Sequence, residues 1–272
     1  MATHMRLAVL SLVASVLMTA QVRDDWKLVW HDEFNGPAGS APDPTKWTYD
    51  TGNTGWGNNE LENYTDSRQN SYLDGEGNLV IEALQTGTNA YTSARLKTEG
   101  LYSVEYGRIE ARIRIPFGQG LWPAFWMLGT NIDGPNAVGW PNCGEIDIME
   151  NIGKEPSIVH GTIHGPGDTG SGIGGPYTLP NGAKFSDDYH VFALMWDDQQ
   201  VQFLVDNMPY ETVTKEQAGT MWAFDHQFFI LLNVAVGGNW PGNPDATTTF
   251  PQTMKVDYVR VYQFAKRPSM RQ

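Results

Sequence analysis

Glu145, Asp147 and Glu150 fall within one short run, Gly144-Glu-Ile-Asp-Ile-Met-Glu-Asn151. Two carboxyl groups facing one another can cleave a glycosidic bond: one protonates the leaving oxygen, the other attacks the sugar or activates water. In a β-strand Glu145 and Asp147 point to the same face, whereas Glu150 has the wrong parity. One extra residue, a β-bulge around Ile148-Met149, returns Glu150 to that face and leaves apolar Ile146 on the other. The glutamate Cα atoms are then roughly 13 Å apart. Side chains leaning inward close the carboxyl separation to the ~5–5.5 Å of a retaining glycosidase. Three like charges in a row are costly unless protons are shared, so one acid is expected to hold a raised pKa, as a general acid at neutral pH requires. Spacing alone leaves two other readings open, a solvated acidic strand edge and a calcium site. Calcium loops, however, usually carry their ligands on irregular, Gly-containing backbone rather than within Ile-Asp-Ile.

Other side chains could serve the same face. Trp122, Ala124 and Trp126 share one side of a strand; two such Trp are either core or flat platforms for the apolar C–H faces of sugar rings. Trp56, Trp140 and Trp240 stand in Gly-, Pro- and Asn-rich loops, as loop anchors or as subsite walls. His164 shares parity with His160 and Thr162 on the segment after the acids, where it either hydrogen-bonds an acid or a hydroxyl or plays a structural part. Cys143, the single cysteine, has three acids within the next seven residues. That setting opposes a reactive thiolate, so it reads as a small buried filler.

The elements that must carry these groups are strands. Ile109, Ala111, Ile113 and Ile115 alternate with polar residues, as do Leu79, Ile81 and Ala83, and Val201, Phe203 and Val205. Residues 255–262 make another such segment. Residues 228–236 are apolar on both faces, as a central strand is. Nowhere do apolar residues recur at helical spacing over three turns. The 29 Gly and 16 Pro cluster between the strands, for example in 165–180 and 237–244. Many short strands with such turns predict an all-β fold, a sandwich or barrel, in a single domain spanning 21–272.

Charge narrows the partners. The 272 residues carry 18 Lys+Arg against 31 Asp+Glu, a formal charge of −13. Nucleic acid and anionic membrane surfaces are disfavoured, since both need basic patches. Met1–His4 reads as an added leader with Met5 as the natural start. Arg6, the apolar run Leu7–Ala20 and the small residue at its end predict a secretory signal over 1–20, too short to span a bilayer. The expectation is a secreted chain, and nothing demands a dimer.

Here the sequence resembles glycoside hydrolase family 16, in the bulged Glu-x-Asp-x-x-Glu form typical of bacterial laminarinases. The motifs run along nearly the whole chain: Trp30-His-Asp-Glu-Phe-Asn-Gly36, Gly55-Trp-Gly-Asn-Asn-Glu-Leu-Glu-Asn-Tyr-Thr65, Leu121-Trp-Pro-Ala-Phe-Trp-Met-Leu128, His160-Gly-Thr-Ile-His-Gly165 and Val256-Asp-Tyr-Val-Arg-Val-Tyr262. The resemblance implies a β-jelly-roll sandwich of two antiparallel sheets with a sugar cleft on its concave face. It implies Glu145 as nucleophile, Glu150 as general acid/base and Asp147 orienting the nucleophile, with no cofactor for catalysis. It makes Trp122 and Trp126 sugar platforms and places Asn58 and Arg95 along the non-reducing-side subsites. It also sets Glu33, Asp257 and the carbonyl of Gly77 where the family commonly holds a structural Ca²⁺. The substrate implied is a β-1,3-glucan, or a mixed β-1,3/1,4-glucan; lichenan, agarose or a non-catalytic glucan-binding module are the alternatives.

Overall fold

A computed structural model describes residues 26–264, so the expected signal segment lies outside the described residues. Alternation along the chain becomes alternation across a sheet. In the strand Gly107–Arg114, Ile109, Ala111 and Ile113 are fully buried while Arg108 and Arg112 stay half-exposed on the other side. Each such isoleucine contributes about 1.5–3 kcal/mol when removed from water, which fixes the strand's register toward the core.

Two mainly antiparallel sheets result, open at their edges. One has seven strands in the order Ile173–Thr178, Ile158–His164, Glu145–Glu150, Leu121–Gly129, Phe228–Val236, Arg95–Lys97 and Thr48–Asp50. The other has ten, with Gly107–Arg114 and Gln252–Phe264 paired at its centre. Both inner faces meet in one apolar cluster, in which Ile109, Ile113, Val259 and Val261 from the larger sheet join Phe125, Met127, Ile146 and Val159 from the smaller. This is the expected β-jelly-roll sandwich.

The strand Phe228–Val236 is buried along its whole length, as its composition requires. Phe228, Ile230, Leu232, Val234 and Val236 enter the main core. Phe229 and Leu231 instead form a smaller cluster on the opposite face with Leu128 and Cys143. Cys143 is therefore the buried filler it was read as, and burial pushes its thiol up to about 11. Among the described residues helix is confined to single turns such as Lys215–Ala218, closed by a Thr214–Gln217 capping box.

Candidate active site

The acidic strand carries the bulge its parity demanded. Asp147 pairs with Trp126 on the neighbouring strand, and Glu150 pairs with Ala124 two positions back; on the acidic strand three steps separate the same two points. The register shifts between Asp147 and Met149, so the extra residue falls in the Ile148-Met149 pair. Both of those side chains are buried in the core. Burying two successive apolar side chains is what stabilises the irregularity and turns Glu150 back beside Glu145 and Asp147. Just before the row, Gly144 has φ of 75° and a Cβ there would meet Phe228 Cζ at 2.8 Å, so glycine alone lets the chain enter the strand here.

On the outer face of the seven-stranded sheet the acids meet indoles and an imidazole. Trp122 donates its N–H to Glu150 Oε1 at 2.9 Å, and Trp140 donates to Glu145 Oε2 at 2.9 Å. His164 pairs in register with Glu145, and its Nε2 lies 3.2 Å from Asp147 Oδ2 and 4.0 Å from Glu145 Oε1. Glu145, Asp147 and His164 each bring one atom to within 4.8 Å of the others, a spacing that serves proton exchange as well as it would a cation.

Burial is the first influence on every acid of the row. It pushes Asp147 up to about 8, against a hydrogen bond from Glu145. It also pushes Glu150 up to about 8, helped by the charge of Asp147 and opposed by Trp122 and His164. Glu145 is driven well above the usual carboxylate range by burial and by Asp147, with His164 and Trp140 pulling the other way. Near neutral pH the row therefore shares protons and titrates as a unit. It offers both a carboxylic acid and, wherever a positive group offsets burial, a carboxylate.

The sugar-contact residues read from the sequence come together with these acids, though not all as free donors. Trp126 donates to Asn233 Oδ1 at 2.7 Å, and Asn233 donates onward to the Tyr64 hydroxyl at 3.0 Å. The Arg95 guanidinium lies between two indoles, 4.7 Å from the Trp126 centroid and 4.8 Å from that of Trp56, with Nε 2.9 Å from Asp50. Arg95 thus braces the Trp126 indole. The Asn58 amide donates to Glu60 at 3.3 Å, and its carbonyl accepts from Asn239 N–H, tying its loop to the one that carries Trp240. Trp240 stands edge-on to Trp122 at 5.6 Å, so each of the three loop tryptophans touches a site residue.

Two partners escaped the sequence reading. Asn233 was visible as a polar interruption in an apolar strand. Asp168, which takes the Nδ1 of His164, had no such signal, because its loop has no periodicity.

At the cation site expected from Glu33, Gly77 and Asp257, guanidinium groups hold both carboxylates. Arg260 grips both oxygens of Glu33, at 2.9 and 2.7 Å, and Arg112 pairs with Asp257 at 2.7 Å. Gly77 lies in a turn beside Asn35, two residues along the chain from Glu33. Each carboxylate is already neutralised by a guanidinium, so these residues as placed do not fit a hard divalent cation.

Comparison with known proteins agrees with the fold. The family described as "Glycosyl hydrolases family 16" matches residues 56–260. The Beta-glucanase of Rhodothermus marinus is 41% identical over 276 residues, covering 94% of this chain and 93% of that protein. The endo-beta-1,3-glucanase of Pyrococcus furiosus is 53% identical with a TM-score of 0.81, covering 88% of this chain and 95% of the other. The laminarinase catalytic domain of Thermotoga maritima is 49% identical with a TM-score of 0.81, over 88% and 99% respectively.

Proposed function

The chain belongs to glycosyl hydrolases family 16, and we propose on that premise that it works as a secreted, monomeric, retaining endo-β-1,3-glucanase. It is a glycoside hydrolase whose relatives include endo-β-1,3-glucanases. One observation carries the reading: the bulge at Ile148-Met149 brings two glutamates and an aspartate to one face, against the indoles of Trp122 and Trp126.

In the double displacement that follows, Glu145 attacks the anomeric carbon while Glu150 hands its proton to the departing oxygen. Glu150 is suited to that step because burial keeps it protonated near neutrality. Water then replaces the departed sugar, Glu150 takes a proton from it, and the glycosyl–Glu145 ester is hydrolysed with net retention. The family motif decides which glutamate has which role. Two carboxyl groups suffice for this chemistry without a cofactor. A structural Ca²⁺ at Glu33 and Asp257 is left out of the reading, since arginines hold both carboxylates.

Incubation with laminarin, lichenan and agarose in parallel tests the proposal. Oligosaccharides of retained configuration from laminarin, with none from agarose, are expected. Glu145→Ala and Glu150→Ala should each abolish turnover while the protein stays folded, and near-normal activity in either would sink the assignment. Retention on insoluble β-1,3-glucan without new reducing ends would instead favour a binding module.

A further inference from the structure

The glucanase reading leaves one electrostatic problem unsolved. A nucleophile must be ionised, yet burial and two neighbouring acids drive Glu145 toward its neutral form. Two imidazoles face the acids' common side: His160, in register with Glu150, is pushed toward its neutral form by burial, which leaves the ring of His164 to hold positive charge. Its own charge is governed by what its two nitrogens meet.

Both nitrogens meet carboxylates. Nε2 lies 3.2 Å from Asp147 Oδ2 and 4.0 Å from Glu145 Oε1, on the acidic strand. Nδ1 lies 2.5 Å from Asp168 Oδ2, in the loop that follows the histidine's own strand. A neutral imidazole donating at Nδ1 would face Asp147 with a lone pair and need a proton from that acid; an imidazolium presents an N–H to both, and the ionised Asp168 against Nδ1 favours it. Asp147 Oδ2 is buried and accepts no hydrogen bond, so the ring at 3.2 Å is its electrostatic compensation. The fourth neighbour, Trp140, contributes an uncharged ring 6.0 Å away.

Asp168 is built to stay ionised. Its side chain is almost wholly buried, which alone would raise its pKa, but the hydrogen bonds from His164 and from Gly172 N–H hold it below the usual range. The Ser171 N–H also donates to it, at 3.2 Å. The loop closes this tightly because Gly172 has φ of 62° and a Cβ there would lie 2.9 Å from His164 Cε1.

We propose that Asp168 is a positioning residue for the reaction: it holds His164 as an imidazolium, and that fixed positive charge keeps Glu145 available as a carboxylate beside Asp147. This rests on the glucanase reading for its purpose but not for its geometry. Asp168 touches no substrate. It acts through His164, at the end of the row away from Glu150.

The test joins a spectroscopic readout, taken without substrate, to a kinetic one. Nitrogen-15 shifts of the His164 ring, assigned with His164→Gln, should show both nitrogens protonated at pH 7 in the wild type. Asp168→Asn keeps an acceptor for Ser171 and Gly172 but turns the ring neutral at the same pH. With laminarin, kcat should then fall about tenfold with KM within about twofold, and the acidic limb of the kcat/KM profile should move to higher pH. Asp168→Glu should recover the doubly protonated ring and most of kcat. A neutral ring in the wild type overturns the proposal whatever the variants do. So do unchanged shifts and superimposable pH profiles in Asp168→Asn, which would make Asp168 a loop staple only. Turnover by the wild type tests the glucanase reading separately, because the ring's protonation is read in the absence of sugar.

Discussion

Trp122 donates its indole N–H to Glu150 at 2.9 Å, so the side chain proposed as a sugar platform also bears on the proton affinity of that acid. The bond stabilises the ionised form and pulls Glu150 down against the upward push of burial. Trp122→Phe keeps most of the flat surface and removes the donor. The alkaline limb of kcat/KM should therefore move to higher pH, by up to about one unit given the ~1.5–3 kcal/mol of a hydrogen bond to a charged group and partial replacement by water. A pH profile on laminarin measures it, and a shift to lower pH would contradict the bond's role.

Asp147 links the site to stability. Its carboxyl is raised from 3.8 to about 8 in the fold, so the folded chain keeps a proton that the unfolded chain releases once pH exceeds 4. Stability thus falls as pH rises through the window from about 4 to 8, the sign for a carboxyl with a raised folded pKa. Asp147→Asn removes this dependence. Thermal midpoints should match near pH 4 and favour the variant progressively toward pH 8, although turnover drops. Parallel curves for the two proteins across that range would refute the raised pKa.

Glu145 and Glu150 can be told apart by leaving group. Glu150→Gln should lower kcat/KM on laminarin by roughly 10²–10⁴, the usual worth of general acid catalysis. On an aryl β-glucoside whose phenolate departs without protonation, the loss in the first step should be much smaller. Glu145→Gln should abolish turnover of both. Equal losses for the two variants on the activated substrate would reject the division of roles.

Asn233 tests the platform. It accepts from Trp126 and donates to the Tyr64 hydroxyl, and all three groups are largely buried. Asn233→Leu strands the Trp126 N–H, at a cost of about 1–3 kcal/mol, and removes one of the two partners of the Tyr64 hydroxyl, which keeps Glu60 as acceptor. A drop in thermal midpoint of about 4–10 °C is expected for a chain of this size. KM should rise more than kcat falls, since the indole is displaced and not the acids. Steady-state kinetics and a melting curve check both halves, and a kcat loss with unchanged KM would count against the platform.

Much of this molecule could be read locally. Two-residue alternation placed Ile109, Ala111 and Ile113 in the core, and an apolar run marked Phe228–Val236 as a central strand. The parity of Glu145, Asp147 and Glu150 required a bulge at Ile148-Met149, which is where the register shifts. These features are legible because a strand's facing repeats every two residues and each acid's direction follows from its neighbours along the chain.

What touches the acids was decided only by the tertiary structure. Trp126 meets Asn233 across 107 residues of chain, and Arg95 is wedged between Trp56 and Trp126 instead of standing free. Glu33 and Asp257 look like cation ligands until Arg260 and Arg112 are found against them. Asp168 lies four residues after His164, yet its loop has no pattern from which their hydrogen bond could be read. Sheet order, register between distant strands and the path of irregular loops set those contacts. They emerge only when the whole core packs.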